Sequence, residues 1–179
     1  RRALPRATFA TPSLGSIAEI QAMLSNLGVR TRHEREAAEL VSRIDRDLAA
    51  LDRVFAPIPK KKVLLIFGVA PLVAAGKTGF AADMLRHLAA ENLVTDEAPY
   101  PILAGESLQR FRPDLVLFAL GTGNTVDVPE ELRGIPAVAA GHVMNVEDPR
   151  VLRPGPRVVE GMRILGKKIH PEVALPEPS

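Results

Sequence analysis

The chain has 179 residues, 46% of them hydrophobic, with a formal net charge of +2. That length suits one domain, or one domain with an appendage, and no apolar run reaches the ~18 residues that a membrane span requires. There is no cysteine, no tryptophan and a single tyrosine, which excludes disulfides and thiolate metal sites and leaves little aromatic surface for stacking bases.

Basic residues are scattered over the first part (Arg1, Arg2, Arg6, Arg30, Arg32, Arg35), and Lys60-Lys61-Lys62 follows a proline break. They form no stripe, so no nucleic-acid partner is expected. Residues 7–11 read as a short strand stopped by Pro12. Ser16 is an N-cap with Glu19 as its capping-box partner, opening a helix with Ile17, Ile20, Leu24 and Leu27 on one face that ends near Gly28. A longer helix follows from about Thr31 to Phe55. Its apolar positions Ala37, Val41, Ile44, Leu48, Leu51 and Phe55 keep a 3–4 spacing, and Pro57 and Pro59 stop it.

From Lys60 the pattern changes. Val63–Val69 is an unbroken apolar run, as expected of a strand covered on both faces. Gly76 and Lys77 lead into a helix from about Thr78 to Ala90, and Asn92–Thr95 reads as a short strand. Glu106–Arg112 is a short helix, Asp114–Leu120 a strand and Pro129–Arg133 a helical turn. Ile135–Ala139 and Val143–Val146 are strand pieces around Gly141. The last helix spans about Pro156 to Lys168, His170-Pro171 ends it, and the tail from Leu175 is expected to be disordered. Strands alternating with helices predict an α/β fold, a parallel-sheet sandwich lobe preceded by a long helix. The chain divides into residues 1–59 and a compact lobe over 60–179.

Ligands of parallel sheets collect outside the carboxyl ends of the strands, so the residues expected there carry the functional argument. Pro71-Leu72-Val73 follows the first strand and reads either as a strand-ending turn or as an apolar ligand contact. Tyr100 sits between Pro99 and Pro101, which stiffen its loop; it is either a ligand platform or a plug in the core. Glu106 opens a short helix, where the macrodipole favours a carboxylate, and also suits a partner's arginine. Arg153, before Pro154-Gly155-Pro156, points towards a ligand, whereas Arg157 pairs locally. His142 lies near the same crevice and reads as structural.

Enzyme signatures fall short. Gly76-Lys77-Thr78 mimics a phosphate-binding loop, but Pro71 stands where that motif needs a glycine. No histidine pair has zinc-ligand spacing, and no serine elbow or cysteine nucleophile is present. The chain is therefore not expected to be an enzyme, nor to carry a cofactor or metal.

These segments in order, Phe67-Gly68-x-x-Pro71, Gly76-Lys77, Glu91-Asn92, Pro99-Tyr100-Pro101 with Glu106, Pro113-Asp114 and Pro156-Arg157, resemble the helical-backbone (class III) substrate-binding proteins of ABC importers. The cobalamin-type members are the most similar. The resemblance runs from about Pro12 to Glu172. It implies an extracytoplasmic or periplasmic solute-binding component in which a long helix, here Thr31–Phe55, joins two α/β lobes around a ligand cleft. Residues 60–179 would be the C-terminal lobe, and residues 1–59 that linker with a remnant of the other lobe, whose remainder and secretory leader would lie upstream of Arg1. Val73 and Tyr100 match aromatic positions of the cleft, of which only Tyr100 keeps an aromatic; the ligand is thus a corrinoid (cobalamin), haem, a ferric siderophore or another metal chelate. Arg153 matches a cleft arginine, and Glu106 matches the glutamate that docks on the membrane permease. A second copy covering the arm helices would give a homodimer. The other readings are a nucleotide-binding enzyme domain built on Gly76-Lys77-Thr78 and a self-association fragment without a ligand.

Overall fold

The computed structural model describes residues 12–121 and 127–178; the strand expected over 7–11 lies outside the described residues. Helix α1 (Ile17–Thr31) starts as its sequence predicts, with the Ser16 hydroxyl accepting the Glu19 N–H at 3.1 Å. Glu19 reaches back past Ser16 and accepts the Gly15 N–H (2.6 Å) and the Ser13 hydroxyl (2.8 Å). A further orphan donor of the first turn, the Ile17 N–H, goes to the buried Asp83 carboxylate at 2.7 Å. The helix continues past Gly28, its expected end, and stops at Arg32, whose φ is 61°. Gly28 serves close packing instead: a Cβ there would lie 2.5 Å from the Ala37 Cβ of the next helix.

That helix, α2 (Glu34–Phe55), starts three residues later than predicted and buries Ile44, Leu48, Leu51 and Phe55. Its stripe lies on the lobe because burial of one apolar face, rather than propensity, stabilises a helix of this kind.

Among the described residues five strands form one sheet: β1 (Lys61–Val69), β2 (Leu72–Ala74), β3 (Ala90–Asn92), β4 (Leu115–Phe118) and β5 (Val143–Asn145). The order is β2-β1-β4-β5, with β3 beside the first half of β1. All pairings are parallel except β1 with β2. Strand alternation explains the layers. Val63 and Leu65 of β1, with Leu115 and Leu117 of β4, join the core shared with α1, α2, α3 (Gly79–Arg86) and α5 (Val158–Ile169). Leu64, Ile66, Val116 and Phe118 face the opposite layer, which includes Leu103, Leu108, Leu132, Ile135 and Ala137.

Several expectations are corrected. The helix after Lys77 ends at Arg86, and Ala89 takes φ 47°, which turns the chain so that Ala90 already belongs to β3. Residues Ile135–Ala139 hold no strand. Pro136 has no N–H to donate to a ladder and instead opens the short helix α4 (Pro136–Ala139). The expected strand Asp114–Leu120 is trimmed to Leu115–Phe118. Val173, before the expected tail, is buried and its carbonyl accepts from Lys167, and Leu175, the first residue of that tail, packs on the core. His170, read only as a helix stop, is fully buried; its Nε2 lies 3.1 Å from the Ala89 carbonyl, and its ring packs on Phe55.

Candidate ligand-binding rim

The carboxyl ends of β1, β4 and β5 lie along one edge of the sheet, since these strands run parallel in register. β1 crosses that edge with an irregularity. Ile66 pairs with Ala74 and Gly68 with Val73, so Phe67 is the extra residue of a bulge. Bulges re-aim side chains, and the Phe67 ring stands edge-on to Tyr100 with centroids 5.4 Å apart. Tyr100 remains 48% exposed beside it. Val69, at the end of β1, and Ile102, bridged to Val73, are 38% and 65% exposed. Partial burial pushes the Tyr100 phenol up from its ordinary pKa, so at neutral pH the ring presents an uncharged face. Apolar surface of this kind, concentrated where a parallel sheet opens, suits a flat, weakly polar ligand.

The loop carrying Tyr100 is tied to the segment after β1. Leu103 N–H donates to Leu72 (2.8 Å), Ala74 N–H to Pro101 (3.1 Å), Gly76 N–H to Pro99 (3.0 Å) and Lys77 N–H to Asp96 (2.7 Å), each to the backbone carbonyl. Gly76 is required there, because a Cβ would fall 1.7 Å from the Ala98 carbonyl oxygen. Gly76-Lys77-Thr78 is thereby committed to the loop. The Lys77 ammonium pairs with Glu97 at 2.5 Å, and the Thr78 hydroxyl donates to the Glu97 carbonyl at 2.6 Å. A phosphate would have to displace those contacts.

The other predicted residues fall as follows. Pro71 is exposed in the turn between β1 and β2, Val73 is half-buried, and Leu72 is buried in the second core layer. Arg153 is exposed between the 3-10 turn Pro149–Val151 and α5, in the connection that follows β5. Glu106 is the second residue of the 3-10 helix Gly105–Arg110. His142 is not near the rim. It precedes β5, at the opposite edge, where it lines a concavity of about 600 Å³ with Lys61, Asp114, Met144 and Lys168. Among the described residues no three His, Asp or Glu side chains converge as metal ligands.

The sequence profile described as periplasmic binding protein matches residues 4–148. The chain belongs to that family. An uncharacterised ABC transporter substrate-binding lipoprotein of Bacillus subtilis, YvrC, is 26% identical over 162 residues, 88% of this chain and 52% of its own length. The vitamin B12-binding protein of Salmonella paratyphi A is 27% identical over 116 residues, 64% of this chain and 44% of its own. An ABC transporter substrate-binding protein of Listeria monocytogenes superposes with a TM-score of 0.79 at 20% identity, over 91% of this chain and 68% of that one. This periplasmic binding protein thus spans about half the length of the curated relatives it matches. The class III resemblance and the α/β, parallel-dominated fold hold. Among the described residues no helix is long and apolar enough to cross a membrane.

Reading the sequence missed Phe67, Val69 and Ile102. A glycine inside a strand run, here Gly68, is the available signal for the bulge at Phe67.

Proposed function

We propose that this periplasmic binding protein is a solute-binding component of an ABC importer, and that its rim captures a flat metal chelate of the corrinoid class. The observation carrying this is the apolar rim itself: Tyr100 held edge-on to Phe67, with Val69 and Ile102 exposed beside it, at the carboxyl edge of a parallel sheet. Similarity to a vitamin B12-binding protein supports the corrinoid class. In this reading residues 60–179 are the ligand-contacting lobe and residues 1–59 the helical arm. Pro71 and Val73 border the ligand with Tyr100, Leu72 backs them from the core, and Arg153 meets a polar substituent of the ligand. Glu106 docks on the permease outside the membrane. Capture needs no covalent step, because apolar contact and exclusion of water supply the affinity.

Calorimetric titration with cyanocobalamin, haemin and a ferric hydroxamate tests the ligand. Saturable binding of cyanocobalamin that Tyr100→Ala weakens is the expected result. Binding of haemin or the hydroxamate alone reassigns the ligand, and binding of none removes the rim as a chelate site.

A further inference from the structure

We propose that Asn92 is a positioning residue for Tyr100, acting through the peptide planes of Ala75-Gly76 and Gly76-Lys77. The inference deepens the reading of the rim as a ligand wall and rests on it. Asn92 ends β3, and its side-chain amide donates to the carbonyls of Ala75 (3.1 Å) and Gly76 (2.7 Å). Its Oδ1 accepts the Val94 N–H at 3.2 Å. The amide thus spends both donors and an acceptor.

Those two carbonyls are the significant ones. In a trans peptide unit the C=O and the following N–H point to opposite sides of a rigid plane. The plane holding the Ala75 carbonyl also holds the Gly76 N–H, which donates to Pro99; the plane holding the Gly76 carbonyl holds the Lys77 N–H, which donates to Asp96. Asn92 therefore grips from behind the planes that make two of the four backbone bonds to the Tyr100 loop. Hydrogen bonds in series through a peptide unit polarise one another, so losing the amide weakens the bonds on the far side. Pro99 and Pro101 carry the restraint to Tyr100 with little slack, and the ring then rests against Phe67. A ring held in place before the ligand arrives pays less ordering entropy on contact.

Tyr100 is the only tyrosine and the chain has no tryptophan, so tyrosine near-ultraviolet circular dichroism and fluorescence anisotropy report this ring alone. Asn92→Asp keeps the size and the acceptor but turns a carboxylate towards two carbonyls. In the chain without ligand, the expected result is loss of most of the Tyr100 dichroism and a lower anisotropy, while far-ultraviolet dichroism stays that of the folded protein. Glu91→Gln, its exposed neighbour, leaves both unchanged. With cyanocobalamin as probe, Asn92→Asp binds about three- to tenfold more weakly, the range set by ordering one side chain on binding. A folded Asn92→Asp chain with an unchanged Tyr100 signal overturns the proposal, as does a Tyr100 signal lost only when the whole chain unfolds. If Asn92→Asp does not fold, Asn92→Ala carries the test: it removes both amide donors without adding a charge, and a folded variant with the native Tyr100 signal overturns the proposal. If cyanocobalamin does not bind the unaltered chain, the ligand assignment fails, while the optical measurements still decide whether Asn92 orders the ring.

Discussion

Asp148 accepts the Arg150 backbone N–H at 2.9 Å and two guanidinium N–H groups at 2.6 and 2.9 Å, and the same guanidinium reaches Glu160 of α5 at 2.8 Å. These bonds, the side-chain ones foremost, hold the Asp148 carboxyl at about 2 against an ordinary 3.8. The group is depressed on folding, so its contribution is complete above the ordinary value and disappears as pH falls towards 2. Asp148→Asn should therefore flatten the acid limb of stability between about pH 4 and 2, read from urea midpoints across that range. An unchanged acid limb would show that the pair is no tighter than in the unfolded chain. At this scale the sequence was partly legible. Tyr100 is marked by its flanking prolines and Ser16 by its cap pattern. Phe67 is marked only by the neighbouring Gly68, and Asn92 and His170 carry no local mark of their roles, because each acts through a partner distant in the chain.

Helix packing depends on a glycine whose role is hidden in one dimension. Gly28 reads as a helix terminator, yet it lies inside α1 and faces the start of α2 closely. Gly28→Ala gains helix propensity but places a Cβ 2.5 Å from that of Ala37 and 3.0 Å from the His33 carbonyl oxygen. Backbone on one side cannot give way cheaply, so the variant should lose roughly 1–3 kcal/mol of stability, the usual cost of overpacking. Adding Ala37→Gly should recover part of it, less about 1 kcal/mol for a glycine in α2. Denaturant unfolding measures both, and equal stability of Gly28→Ala and the parent chain would rule the contact out as a constraint. The periodic helices α1, α2 and α5 and the buried run of β1 were readable because burial imposes a period on the residues. Residues 135–139 were misread for the opposite reason. Five residues are too few to separate strand from helix by pattern, and Pro136 favours the first position of a helix.

For the whole molecule, a parallel sheet covered on both faces leaves one carboxyl edge free for a ligand, and the rim gathered there joins residues from 67 to 102. Permease docking belongs to this scale because it concerns how the folded lobe meets a partner. On the proposed docking, Glu106→Lys should sharply lower uptake by an assembled importer while leaving the calorimetric affinity for cyanocobalamin unchanged, since a reversed charge would meet an arginine of the partner with repulsion. Unaltered uptake would remove Glu106 from that role. The amino-acid sequence by itself determined the fold class, the long amphipathic helix, the doubly covered strand and the family, all of which follow from periodic burial and short motifs in order. Only the tertiary structure decided that Gly76-Lys77-Thr78 supports a loop, that His142 lies at the far edge, and that Phe67 rather than Leu72 stands beside Tyr100. These outcomes depend on strand register, a bulge and hydrogen bonds between segments far apart in the chain, which no local pattern of residues encodes.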